Sequence, residues 1–408
     1  MVKTNCDKNR RVVVTGLGVV SSLGIGWKEF WKNLLAGRSG INPITSFDVS
    51  KHDRIYGGEV KNFDPTKFIN KKKARQMGKA SQFAITAAQL AIKDAGLKIE
   101  ELRKSRTGIC IGTTMGEIQV IEQIIKHTLI RKQAIKQIRA LISPASSISV
   151  NLAGYFKLNG PNLLFSTACA AGNYSLGYAF DLIKSGRADY ILAGGSDALS
   201  RIAFTGFSRV YSMAPKKCQP FDKNRKGMML GEGAGILVIE SLESAKKRGL
   251  RGYAEILGYG LSCDARHMTR PSSQGIVNSI TKSLASSLIE TSAIDYISAH
   301  GTGTKENDKV ECEAFKNIFH EELKNIPVSS IKSMLGHTMG AAAALESVAC
   351  CLAIFDSQIP PTINMDNQDS ECEIDCVPNR SRLATLKVVL NNSQAFGGNN
   401  ACVSMGKI

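Results

Sequence analysis

The sequence predicts an α/β protein, and three observations carry that prediction. Short apolar runs of strand length recur along the chain. Segments with apolar residues at helical spacing stand between several of them. The chain is 408 residues long, enough to bury a large core and more than a typical single domain needs. The elements follow in order. Arg11 to Thr15 is an apolar β-branched run. Phe83, Ala84, Ala87, Ala88, Ala91 and Ile92 form a helical stripe that stops at Gly96. Ile109-Cys110-Ile111 reads as a buried strand, and Leu163-Leu164-Phe165 is an apolar segment before a helix patterned by Leu176, Phe180 and Ile183. Tyr190 to Ala193, Ile236 to Ile239, Tyr296-Ile297 and Lys387 to Leu390 read as further strands. The glycines from Gly231 to Gly235 precede a strand instead of opening a helix, so they signal tight turns and not a dinucleotide fingerprint. Gly16-x-Gly18 lacks the third glycine and the acidic residue that such a site requires.

Composition narrows the function classes. The hydrophobic fraction of 43% is ordinary for a globular protein. No stretch approaches the ~20 continuous apolar residues of a membrane helix. The start, Met1 to Lys8, is polar and lacks a signal-type apolar segment, so a cytoplasmic protein with no membrane association is expected. Eleven cysteines at irregular spacing, with no C-x-x-C, fit free thiols in a reducing compartment better than disulfides. Cys350-Cys351 and Cys372/Cys376 have no histidine at ligand spacing, so no metal is expected. The net charge is +17, from 52 basic and 35 acidic residues. The basic residues are dispersed, with clusters at Lys71-Lys72-Lys73 with Arg75 and at Arg131-Lys132 with Lys136 and Arg139. Without aromatic interleaving they do not argue for nucleic acid. They suit an acidic protein partner instead.

Cys169 is the most informative residue. It lies in Ser166-Thr167-Ala168-Cys169-Ala170-Ala171-Gly172, at a strand-to-helix junction. A helix start favours thiolate, and small neighbours leave room for a carbonyl. Two later segments each place a histidine beside glycines after an apolar or β-rich stretch. One is Ser298-Ala299-His300-Gly301-Thr302-Gly303-Thr304, with Asp308 and Glu311 beyond. The other is Ser330-Ile331-Lys332-Ser333-Met334-Leu335-Gly336-His337. One nucleophile with two cleft-facing histidines makes a candidate covalent-catalysis site.

With these motifs the chain resembles the β-ketoacyl-acyl-carrier-protein synthases, condensing enzymes of the thiolase superfamily. The resemblance runs from Val12-Val13-Val14-Thr15-Gly16-Leu17-Gly18 to Phe396-Gly397-Gly398-Asn399-Asn400, through Pro220-Phe221-Asp222 and Gly231-Glu232-Gly233-Ala234-Gly235. It implies a thiolase-like five-layered α/β/α/β/α fold of two pseudo-equivalent halves, residues 1–252 with the nucleophile and 253–408 with both histidines and the gating loop. It implies a Cys169-His300-His337 site with Lys332 and Glu311 as supporting charges. Glu311 is then the expected partner of Lys332, with Asp308 nearby. Backbone N–H groups of Cys169 and Phe396 would hold the tetrahedral oxyanion. The histidines would donate from Nε2 to an enolate, with an acceptor expected at the far ring nitrogen. Thr302 and Thr304 would bind the phosphopantetheine arm, and Phe396 on the Gly397-Gly398 hinge would gate the acyl pocket. No cofactor of the protein's own is implied, because 4'-phosphopantetheine arrives on the acyl carrier protein. That acidic partner would dock on Lys71, Lys72, Arg75, Arg139 and Arg209. A dimer is implied, either homodimeric or paired with a Cys-less, chain-length-factor-like homologue.

The implied reaction is decarboxylative condensation of a Cys-bound acyl chain with malonyl carrier. Departures from the elongating members bear on the pathway. Gln394-Ala395 stands where they carry Phe-Gly, Asn399 replaces a usual Thr, and Asn173 follows the nucleophile motif. With Gly303 to Asp308, these point to a ketosynthase of a dissociated, type II polyketide or polyene system, with housekeeping fatty-acid elongation as the alternative. A silent partner subunit would lack Cys169. A thiolase would use a second cysteine as base, and a cysteine hydrolase would need water access.

Overall fold

The computed structural model describes residues 10–134 and 137–408. Lys136 of the second basic cluster and the polar start lie outside these residues. In chain order the main strands are β1 (Val12–Ser21), β2 (Thr107–Gly112), β3 (Asn162–Phe165), β4 (Tyr190–Asp197), β5 (Gly233–Ser241), β6 (Ala254–Cys263), β7 (Tyr296–Ser298), β8 (Val328–Ser329), β9 (Val388–Gln394) and β10 (Asn399–Gly406). The helices that cover them are α1 (Lys79–Asp94), α2 (Ala171–Lys184), α3 (Ser273–Ser287), α4 (Lys305–Phe319) and α5 (Ala342–Asp356). The apolar runs of β1, β2, β4, β5 and β7 are buried on both faces because helices lie on both sides of the sheet, while the edge strand β3 is not.

The strand path is β8-β7-β9-β10-β6-β1-β5-β4-β2-β3, with Gly24–Ile25 folded back on β1. This path contains a repeat that the sequence does not show. Counting strands within each half, both run third-second-fourth-fifth-first. In both, the third, second and fourth strands are parallel, and the fourth, fifth and first are antiparallel. The halves meet where Val12–Val14 of β1 pairs antiparallel with Ala254–Ile256 of β6. Gly252 lies in the connection between β5 and β6.

Helices α2 and α5 each pack against strands of both halves. α1 covers the first half, and α3, backed by α4, covers the second. The result is α/β/α/β/α. Met339–Asp356 reaches 18 residues at mean hydropathy 1.6, longer than the sequence reading allowed for any apolar stretch, and 89% of it is buried. A middle-layer helix meets protein all round, so it is apolar on every face.

Strands β6 and β10 escaped the sequence reading because they are rich in glycine, serine and asparagine. The glycines of β6 are required by packing. A Cβ on Gly260 would lie 2.0 Å from the Ser279 carbonyl oxygen of α3, and one on Gly258 2.8 Å from the Ser287 nitrogen. Close approach of a helix replaces the usual β-branched signal.

Candidate active site

Cys169 sits in a short 3-10 turn, Ala168–Ala170, between β3 and α2. Ala168 enters the turn with φ 49°, in the left-handed region. A Cβ on Gly172 would come within 2.6 Å of the Ala344 nitrogen, so the small residues after Cys169 let α2 and α5 close together behind it. Cys169 itself is buried. Burial pushes its thiol up to about 12; Asp197 adds to this, while Lys332 and the backbone N–H groups of Phe396 and Cys169 oppose it. Burial therefore outweighs the pull of the helix start towards thiolate. About half a unit charge at a helix start does not offset loss of water around a buried thiolate.

His300 follows β7, and His337 follows a short helix, Lys332–Leu335, and the left-handed Gly336. The Gly231 turn seats His337: its carbonyl accepts from the Gly231 N–H at 2.9 Å, and its N–H donates to the Met229 carbonyl at 2.6 Å. The two rings meet edge to face with centroids 5.3 Å apart. Both are buried, and both hold a pKa well below the usual histidine value. Burial is the main cause, followed by the Lys332 charge and, for His300, by His337. Among the described residues the acceptor expected at the far ring nitrogens is not there: both Nδ1 atoms are buried without a partner. A neutral ring needs none. A proton on Nδ1 would be a buried unsatisfied donor, so the tautomer we assign is Nε2–H at both rings.

Lys332 does not pair with Glu311. Its Nζ donates to the His300 carbonyl at 2.6 Å and forms an ion pair with Glu346, both side chains being fully buried. Glu346 belongs to the middle-layer helix α5, whereas Glu311 belongs to α4, which backs α3. Glu311 accepts instead from the His300 N–H at 2.7 Å, the Gly301 N–H at 2.8 Å, Asn392 Nδ2 at 2.8 Å and Gln394 Nε2 at 3.2 Å. Burial pushes its carboxyl up to about 7 against these donors. Asp308 accepts from the Phe221 N–H at 2.9 Å and the Gly303 N–H at 3.2 Å, which is where the Pro220-Phe221-Asp222 motif meets the site.

A cavity of about 500 Å³ opens over this group, lined by Cys169, His300, His337, Thr302, Thr304, Gln394 and Phe396 among others. Thr302 and Thr304 share a hydroxyl–hydroxyl hydrogen bond of 2.9 Å. Phe396 is 37% exposed and lies against Phe207. Gly397 and Gly398 carry φ of 88° and 82°, which favours glycine at both positions. Arg209 ends a helix, Arg201–Arg209, whose Phe207 lines this cavity. Arg75 and Arg139 line a different, wider cavity, and the exposed Lys71 and Lys72 line neither. The structure thus separates the basic residues that the sequence grouped. It also adds exposed cations at the mouth, Lys226, Arg270 and Lys305, which the sequence reading passed over. The missed Glu346 carried a signal: a single carboxylate inside an apolar helix must have a buried partner.

Comparison with known proteins agrees with this geometry. Residues 9–245 match the family described as beta-ketoacyl synthase, N-terminal domain, and residues 253–366 match beta-ketoacyl synthase, C-terminal domain. The chain is 39% identical to 3-oxoacyl-[acyl-carrier-protein] synthase 2 of Synechocystis sp., over 99% of both chains. Among solved structures it resembles the ishigamide ketosynthase/chain length factor at TM-score 0.95 and 46% identity, covering 98% of this chain and 99% of that one. It also resembles a type II PKS ketosynthase, bound to the hexaketide and in complex with its acyl-carrier protein, at TM-score 0.90 and 33% identity, covering 98% of this chain and 100% of that one. A buried cysteine and two neutral histidines at one cavity, in a fold built twice from the same strand order, thus belong to a chain of the β-ketoacyl synthase family, a condensing enzyme with the thiolase-like fold.

Proposed function

We propose that the chain lengthens carrier-bound acyl chains by two carbons in fatty-acid elongation, with Cys169 as nucleophile and His300 and His337 as donors to the enolate. The observation that carries this reading is the convergence of one buried thiol and two buried imidazole rings on a single cavity. In the first half-reaction Cys169 Sγ attacks the acyl thioester carbonyl. The new S–C bond forms, the bond to the carrier's pantetheine sulfur breaks, and the cysteine proton leaves with that sulfur. The oxyanion between these events falls to the N–H groups of Cys169 and Phe396, which already pull the thiol pKa down. In the second half-reaction a malonyl carrier loses CO₂. The electron pair of the broken C–C bond moves into an enolate, whose oxygen meets the two histidines. The enolate carbon attacks the acyl-Cys169 carbonyl, and collapse releases a β-ketoacyl thioester and breaks the C–S bond, with the electron pair going to Cys169 Sγ, which takes one proton from solvent to become the thiol again. Neutral histidines suit this step, because a preorganised donor stabilises charge that appears only in the transition state.

The pathway assigned here is not the one the sequence departures favour. Identity to the Synechocystis synthase over nearly the full length of both chains supports elongation. A second reading, condensation in a dissociated polyene system, is favoured by the 46% identity to the ishigamide ketosynthase/chain length factor. Acidic carrier docking near Arg209, with Lys71, Lys72, Arg75 and Arg139 as wider candidates, is supported by the +17 charge and by the ketosynthase seen with its acyl-carrier protein. We place a second subunit against β3, which ends the strand path. Leu163 on that strand and Val150 on the helix against it are exposed. Free thiols at all ten described cysteines support a cytoplasmic setting.

The test uses the purified chain with acyl carriers of several lengths, saturated and polyunsaturated. Extension of saturated chains by the homodimer is the expected result. Extension only of polyunsaturated chains, or only with a Cys-less homologue added, would decide for the second reading.

A further inference from the structure

Gln394 ends β9, where its backbone still pairs with Asn400 of β10. The chain then leaves the sheet through Ala395, Phe396 and the two left-handed glycines, and the turn closes with the Gly398 N–H on the Ala395 carbonyl at 3.0 Å. Gln394 is therefore the fixed foot of the Phe396 turn. Its side chain is 3% exposed and lines the Cys169 cavity. Nε2 donates to Glu311 Oε1, the same oxygen that accepts the His300 N–H. The other carboxylate oxygen takes the Gly301 N–H. One carboxylate thus holds the foot of the turn and the main chain beneath His300.

We propose that Gln394 is a positioning residue for condensation, tying the Phe396 turn through the Glu311 carboxylate to the main chain that seats His300. This deepens the condensing role proposed above and rests on it. Gln394 acts through Glu311, so its loss should fall on the step that uses His300. First acylation uses Cys169 and the backbone N–H groups; the Phe396 N–H keeps its place through the backbone pairing of Gln394 with Asn400 and the turn's own hydrogen bond, neither of which needs the Gln394 side chain, so that step should be spared. The groups facing Glu311 are His300 from the end of β7, Asp308 and Cys312 on its own helix, and Arg225 behind Asp308. None of these contacts requires Gln394, so a variant there changes one donor only.

The experiment measures two steps on the full-length protein. Acyl loading of Cys169 from an acyl carrier is followed by intact mass, and CO₂ release from malonyl carrier is followed after loading. Gln394→Leu should slow CO₂ release about tenfold and leave loading within about twofold, as expected for loss of one charge-assisted hydrogen bond. Gln394→Met is a second apolar replacement should the first not fold. Gln394→Glu supplies a readout that a purely structural role would not move. Two carboxyl groups this close share one proton when the pH is low enough, and the protonated one donates as the amide does. Its CO₂ release should approach wild type at about pH 6 and fall to that of Gln394→Leu at about pH 8. Equal slowing of both steps, or a Gln394→Glu profile parallel to wild type, would overturn the inference alone. A wild-type protein that neither loads nor releases CO₂ would overturn the condensing role first and this inference with it.

Discussion

Replacing Glu346 with Leu should leave Lys332 as a buried cation without its counter-ion. Both side chains are essentially inaccessible, at 1% and 2% exposure. Breaking a buried pair at one end costs about 3–5 kcal/mol, because the remaining charge keeps its desolvation penalty and loses its partner. Spread over 408 residues, with an unfolding entropy of ~2.1 cal/mol/K per residue, this is a fall in Tm of about 3–6 °C. The double replacement, Lys332→Met with Glu346→Leu, removes both charges. Apolar substitution of a whole buried pair is neutral or stabilising in comparable cases, so Tm should return close to wild type. Activity should not return with it. Lys332 is the cation that pulls the Cys169 thiol down against burial and helps hold both histidines neutral. Each unit by which the thiol rises lowers the thiolate fraction about tenfold, so acyl loading by the double variant should be about tenfold slower or worse. Thermal unfolding gives the first quantity and intact mass after a timed acyl-carrier exposure gives the second. A double variant that recovers both stability and loading would refute a chemical role for Lys332 and leave only an ion pair.

Three further outcomes follow from the site. Because burial holds the Cys169 thiol neutral up to about 12, alkylation by a small amide reagent should keep rising from pH 7 to pH 9, about tenfold per unit, with no plateau; a plateau near pH 7 would show a thiolate already formed. His337→Ala should still acquire the acyl adduct but release CO₂ about 10²–10³-fold more slowly, and unchanged CO₂ release would remove it from the enolate site. Charge reversal at Arg209 together with Arg75 should raise the KM for acyl carrier and weaken its salt dependence, while turnover of a small pantetheine thioester stays near wild type; equal losses on both substrates would mean damage to the site.

What could be read from the sequence was local. Cys169, His300 and His337 stand out because small residues and glycines surround each, and such surroundings announce a side chain offered to a cleft. What could not be read was which element faces which. Glu311 is close to His300 in sequence and in space, yet its helix reaches the outer side of the His300 turn, so it holds backbone and not Lys332. Glu346 lies fourteen residues after Lys332 in an alanine-rich helix, and only the middle layer brings the two together. The protonation of Cys169 is hidden for a similar reason. The helix start at Cys169 is visible in the residue order, but the layer of protein that removes water from it is not. Strands β6 and β10 were lost because contact with helices selects small side chains there, and small side chains carry no strand signal.

The repeated topology also explains why the cavity receives one thiol at this turn and not two. The turns that open the middle helices are counterparts: Ala168–Ala170 leads into α2 and Met339–Ala341 into α5. Both begin on a left-handed non-glycine residue, at φ 49° and 55°. The first packs on β9 and β10, the second on β4 and β5, and the two turns pack on each other, as a two-fold exchange between halves requires. The counterpart of Cys169 is Gly340. A Cβ there would lie 2.5 Å from Thr113, so no side chain fits. Asp197 closes that second turn by accepting from the Gly340 and Thr114 N–H groups, each at 2.7 Å. The same position in the first half opens onto the cavity, where the Cys169 thiol meets His300, His337 and the Phe396 turn. The second half has thus given up its own side chain at this point and supplies both histidines. Asp197 bears on that division, since its buried carboxylate raises the pKa of the Cys169 thiol. Reactivity at Cys169 therefore depends on the opposing pull of Lys332 and the two N–H groups, and a change on either side of the repeat reaches it.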